Sequence, residues 1–114
     1  MNLLREVNLK SGMPYASDAV RRLTFEIHHS KELGCAALKI IHGYGSSGKG
    51  GKIRLAARER LTFLQKKREI KYFITGEKFS IFDGDTLQAF RVCPELRKDP
   101  DLERANNGVT FIIL

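Results

Sequence analysis

The stretch Leu38-Lys39-Ile40-Ile41-His42-Gly43-Tyr44-Gly45-Ser46-Ser47-Gly48-Lys49-Gly50-Gly51-Lys52-Ile53-Arg54 decides how the chain folds. It reads as a short buried strand, a glycine-rich loop carrying two lysines, and the start of a helix. Glycine lets a backbone turn sharply and approach a ligand closely. The first turn of a helix presents unpaired N–H groups and a partial positive charge. A strand that runs into such a loop and then at once into a helix makes a seat for an anion, a phosphate above all.

Working outward, the helix is expected over about 52–67. Ile53, Ala57, Leu61 and Leu64 turn inward, and Arg54, Arg58, Arg60, Lys66 and Lys67 fill the other positions. That is an amphipathic helix with a basic outer surface. Upstream, Ala16, Ala19, Val20, Leu23 and Ile27 repeat at helical spacing, which predicts a helix over 16–32 stopped by Gly34. A first strand is expected at 3–9, with Leu3, Val7 and Leu9 for one face, and a second at 36–41. A third follows at 70–75, and an apolar strand closes the chain at 109–114. Between the last two, residues 78–82 suggest a short strand and 86–96 a helix. Asp83 and Asp85 fit a helix N-terminal turn better than a metal pair. The order β-α-β-α-β-β points to a small two-layer α/β sandwich, with a four-stranded mixed sheet packed by two main helices.

Twenty Lys and Arg against thirteen Asp and Glu give a net charge of +7, which favours a polyanionic partner. At 114 residues the chain is long enough for one hydrophobic core. Cys35 and Cys93 are far apart and lack a zinc spacing, so neither a disulfide scaffold nor a metal or other cofactor is expected. Residues 1–6 carry no apolar leader, and no stretch reaches the length of a membrane span. A cytoplasmic protein without membrane contact is the expectation. His28 and His29 have no partner at ligand spacing and read as packed or solvated.

Gly43, Gly48 and Lys49 fit a P-loop, G-x-x-x-x-G-K-[ST]. However, Gly50 stands where a hydroxyl should hold magnesium, and no Walker-B strand is evident. Nucleotide hydrolysis is therefore set aside in favour of a phosphodiester backbone. Lys49 and Lys52 would neutralise phosphates, and Lys10, after the first strand, would lie near the same end. Tyr44 would either stack on a base or pack against the sheet. His42, at the end of a buried strand, is either structural or a proton carrier.

These residues resemble the Smr (small MutS-related) domain family. His42-Gly43-Tyr44-Gly45 after a buried strand matches its H/T-G-x-G signature, and Gly51-Lys52-Ile53-Arg54 its G-V-L-R-like helix start. Val7-Asn8-Leu9-Lys10 stands at its L-D-x-H-like first-strand motif, and Asn107-Gly108-Val109-Thr110-Phe111-Ile112 looks like its last strand. The resemblance implies one α/β module over 1–114, similar in fold to the C-terminal domain of translation initiation factor 3, with residues 77–105 an insert. It also implies nucleic-acid binding and, as in many members, endonuclease cleavage of DNA or RNA. The site would lie where the first-strand motif meets the glycine loop. Asn8 replaces the family's acid and Lys10 its histidine, so binding carries over more readily than catalysis.

The leading expectation is a nucleic-acid-binding Smr-like domain with weak or lost endonuclease activity. Gly43, Gly45 and Gly48 would shape the loop, and Lys49, Lys52, Arg54 and Arg58 would meet phosphates, with Tyr44 beside them. RNA is slightly favoured over DNA, because an exposed loop aromatic suits flexible single strands. If cleavage persists, His42 is the proton carrier and Lys10 or Lys49 stabilises charge on the phosphate. The alternatives are an active DNA/RNA endonuclease, with its acid from Glu6 or the insert, and a protein-interaction module whose apolar last strand pairs with a partner.

Overall fold

The computed structural model describes residues 3–12, 14–44 and 49–114. Its elements run β1 (Leu4–Asn8), α1 (Ala16–Glu32), β2 (Ala37–Ile41), α2 (Lys49–Lys66), β3 (Tyr72–Thr75), α3 (Gly84–Val92) and β4 (Val109–Ile113). Short 3-10 turns at Gly76–Lys78 and Pro94–Lys98 flank α3. The four strands form one mixed sheet in the order β1-β2-β4-β3. β1 and β2 are parallel, and β4 runs antiparallel to both β2 and β3.

β2 and β4 are central strands, and both read as apolar runs rather than alternations, so each needs cover on both faces. On one face Val7, Leu38, Ile40 and Ile112 pack against Leu23 and Ile27 of α1 and Ile53 and Leu61 of α2. On the other, Ala37, Phe111 and Ile113 meet Phe79, Phe90 and Leu96 from the segment between β3 and β4. This segment therefore adds cover that a sheet-and-two-helix sandwich lacks. Phe79 anchors it, stacked on Phe111 with ring centroids 4.0 Å apart. Residues 78–82 do not form the expected strand, because the 3-10 turn carries the chain off the sheet after Thr75. Asp83 instead caps α3, its carboxylate accepting from the Thr86 amide at 3.0 Å. Leu3 packs with this second cluster, not with Val7 and Leu9 as the alternation suggested.

One polar group crosses into this layer. The buried Lys39 ammonium lies 2.6 Å from Asp101, 3.0 Å from Asp99 and 3.7 Å from Glu6. Burial alone would lower its pKa, but the hydrogen bonds and charges of Asp101 and Asp99 outweigh that and leave it raised. The closing strand β4 is hydrogen-bonded along both edges. It is thus not free to pair with another protein, which removes the strand-pairing form of the interaction-module expectation. No helix among the described residues is long and apolar enough to cross a membrane.

Candidate nucleic-acid interface

One end of the sheet gathers the residues singled out from the sequence. The parallel register pairs Asn8 with Ile41, so β1 and β2 deliver their C-termini side by side. β4 enters at the same end, where Ile41 faces Val109, and β3 leaves there, where Thr75 faces Thr110. α1 and α2 follow these two parallel strands and begin at that end too. In open α/β sheets, ligands sit outside the carboxyl ends of the strands.

His42 stands just beyond β2 and is fully buried. Its Nδ1 lies 2.7 Å from the Gly43 carbonyl and its Nε2 2.8 Å from the Thr110 hydroxyl. A carbonyl only accepts, so Nδ1 carries the proton and Nε2 accepts from Thr110. The Thr110 oxygen accepts in turn from Arg58 Nε at 3.3 Å. Arg58 then forks onto Glu77, with Nη1 and Nη2 donating at 2.9 and 2.7 Å. Burial drives the His42 pKa from 6.5 down to about 4; the Gly43 carbonyl opposes this, and the Arg58 and Arg54 charges add to it. The ring is neutral at pH 7, and both of its nitrogens are engaged.

The loop is tied down at its first residues. The Gly108 carbonyl accepts from both the His42 and Gly43 amides at 3.0 Å. Gly43 has φ +77°, a conformation that disfavours other residues. Glu77 is fixed by a similar constraint. A Cβ on Gly76 would stand 1.8 Å from the Asn106 carbonyl oxygen, so only glycine lets the turn pass there.

Asn8 does structural work: its side-chain oxygen accepts from the Lys10 and Ser11 amides at 3.0 and 3.1 Å. Its carbonyl accepts from Arg22 of α1 at 3.0 Å. That Asx-type turn ends β1 and leaves Lys10 exposed beside the loop. The first turn of α2 holds no acid. Lys52 is exposed there, and Arg54 is half-buried with its Nε buried and unpartnered among the described residues. Tyr44 is 57% exposed.

The structure therefore brings together Lys10, His42, Gly43, Tyr44, Lys52 and Arg54. Arg58 lies nearby but is committed to Glu77 and Thr110. Gly45, Gly48 and the side chain of Lys49 fall outside the described residues. Of the acids weighed as replacements for Asn8, Glu6 faces Lys39 on the opposite side of the sheet. The segment between β3 and β4 does supply Glu77, but Arg58 holds that carboxyl below its ordinary range by hydrogen bond and charge. Thr110, Glu77 and Gly108 were not anticipated. The one signal for Thr110 was a single hydroxyl in the otherwise apolar Val109-Thr110-Phe111-Ile112-Ile113.

The overall arrangement has a solved counterpart. The crystal structure of the Smr domain of Thermus thermophilus MutS2 superposes with a TM-score of 0.59 over 96% of each chain, at 20% sequence identity. This chain has the Smr fold. No family model matches the sequence, and no curated protein does. The Smr-like architecture expected from His42-Gly43-Tyr44-Gly45 is thus the observed one, with Val109–Ile113 as the closing strand of the sheet.

Proposed function

We propose that this chain is a nucleic-acid-binding module of the Smr fold that holds phosphates at the end of the sheet where the glycine loop lies. The observation that carries this is the contrast between two arginines one helical turn apart. Arg58 is saturated by Glu77 and Thr110. Arg54, closer to the helix N-terminus, has no partner for its buried Nε among the described residues. A buried guanidinium nitrogen without an acceptor is costly unless a ligand supplies one, and phosphate oxygens do. Lys52 and Lys10 add charge at the same end of the sheet, and Gly43 lets the backbone come close. The exposed Tyr44 offers a stacking face, which favours single-stranded RNA over duplex DNA.

Hydrolysis has weaker support. A neutral, buried His42 bonded at both nitrogens has no free position for a substrate proton, and Asn8 spends its side chain on the turn. We therefore assign His42 the role of positioning the loop, and Lys10 that of a phosphate contact. The test is retention and cleavage of labelled single-stranded RNA, single-stranded DNA and supercoiled plasmid, with and without divalent metal. Salt-sensitive retention without cleavage is expected, weakened roughly tenfold or more in Lys52→Ala/Arg54→Ala at low salt. Cleavage lost in His42→Ala would establish an endonuclease instead, and unchanged retention in the double variant would remove the loop from the interface.

A further inference from the structure

We propose that a single strand of nucleic acid held at the loop continues along the furrow between the outer sides of α1 and α2. This extends the binding function proposed above and rests on it. The furrow is lined by Ala16, Val20 and Arg21 of α1 and by Ala56, Arg60 and Phe63 of α2. Ala16 is the first residue of α1, so the furrow opens at the end of the sheet that holds Lys10 and Tyr44. It then runs away from that end along two helices that point the same way.

Three features select the occupant. The first is charge: α2 carries Lys49, Lys52, Arg54, Arg58, Arg60 and Lys66 against the single acid Glu59, which itself borders the furrow. Arg21 meets Asp18 at 3.6 Å, but both side chains are largely exposed, a pairing that phosphate readily displaces. The second is stacking. Phe63 is 47% exposed, with the Arg60 and Lys67 cations 5.6 and 5.1 Å from its ring centre. Guanidinium planes and aromatic rings are the surfaces on which unpaired bases stack. The third is shape. Small side chains at Ala16, Val20 and Ala56 open the space, and a slot between packed helices admits one strand but not a duplex. From Ala16 to Thr24 it runs about 12 Å at the helical rise, which extends the site by a few nucleotides beyond the loop.

The test uses fluorescent oligouridylates of about four and about twelve nucleotides, lengths that bracket a loop-only and an extended site. They are titrated at low salt with the full chain and three variants: Arg21→Gln/Arg60→Gln, Phe63→Ala and Lys52→Ala/Arg54→Ala. The furrow variants are expected to weaken the longer oligomer about tenfold while leaving the shorter one unchanged. The loop variant should weaken both. Should Phe63→Ala lose its native circular dichroism, the arginine pair carries the test alone, since those changes keep the aliphatic stem of each side chain and neither arginine is buried. Furrow variants that bind the longer oligomer as the unaltered chain does, while the loop variant loses it, overturn the furrow and leave the loop standing. Equal losses on both lengths overturn it as well. No binding of either oligomer by the unaltered chain means that the loop reading has failed first. Polyglutamate that binds the chain and is lost in the furrow variants, with the longer oligomer unaffected, would give the furrow to an acidic protein partner.

Discussion

His42 donates to the Gly43 carbonyl and accepts from Thr110, so protonating it must both charge a buried ring and break the Thr110 bond. Its pKa is 6.5 in the ordinary case and about 4 in the fold. Between those values the unfolded chain binds more protons. The stabilisation is therefore complete above pH 6.5 and is lost as pH falls toward 4. The full loss approaches about 3 kcal/mol. Urea titrations from pH 7 to 5 should show it before the depressed carboxyls of Glu77 and Asp101 contribute, because their stabilisation is lost only as pH falls through and below the ordinary values of 4.5 and 3.8. His42→Asn should be less stable at pH 7 but nearly flat over the same window; an equally steep curve would place the titration elsewhere. Thr110→Val tests the other half of the relay. It keeps the shape but strands His42 Nε2 and Arg58 Nε, and it should cost about 1–3 kcal/mol by the same titration. No sequence pattern announces this relay, since its members lie 68 and 52 residues apart and only the register of β4 brings them together.

At the scale of elements, α1 was legible from its helical periodicity, and β2 and β4 from short, continuous apolar runs bounded by turn residues. α1 was read over its full span, since five apolar positions at helical spacing leave little choice. The segment between β3 and β4 was only partly legible. Its helix was foreseen, but its layer was not, although strands apolar on both faces require one. The link that seats it is long-range: Lys39 in β2 binds Asp101 and Asp99, and Asp101 accepts from Asn106 at 2.9 Å. Asn106 accepts from the Gly108 amide at 2.9 Å, and the Gly108 carbonyl holds the first two residues of the glycine loop. A lysine in a strand core thus fixes both the segment between β3 and β4 and the first residues of the loop. Lys39→Met should leave Asp99 and Asp101 without their cation and lower stability by about 3 kcal/mol. Hydrogen exchange should quicken first at residues 99–108 and at the His42 and Gly43 amides. Quickening confined to residues 99–108 would mean that the Asn106–Gly108 connection does not transmit.

Across the whole molecule the charge is unevenly placed. Seven of the thirteen acids lie in residues 77–105, whereas α2 holds six basic residues and one acid. These two regions cover opposite faces of the sheet, so the net charge of +7 is concentrated on the helical side. The sequence revealed the total and the basic helix, but the opposition of the two faces emerges only when the segment between β3 and β4 folds behind the sheet. A polyanion should therefore meet one face, and its salt dependence should report which residues it touches. For single strands, the logarithm of affinity falls against the logarithm of salt with a slope of about −0.7 per phosphate neutralised. Contacts from Lys52, Arg54, Arg21 and Arg60 alone give a slope of about −3. Removing Lys52 and Arg54 together should make it shallower by about 1.4, and so should removing Arg21 and Arg60. Arg91→Ala/Lys98→Ala takes the same charge from exposed positions between β3 and β4 and should leave the slope unchanged. If all three pairs shift it equally, the attraction is a diffuse property of the net charge, and the residues at the loop and along the furrow hold no particular phosphate.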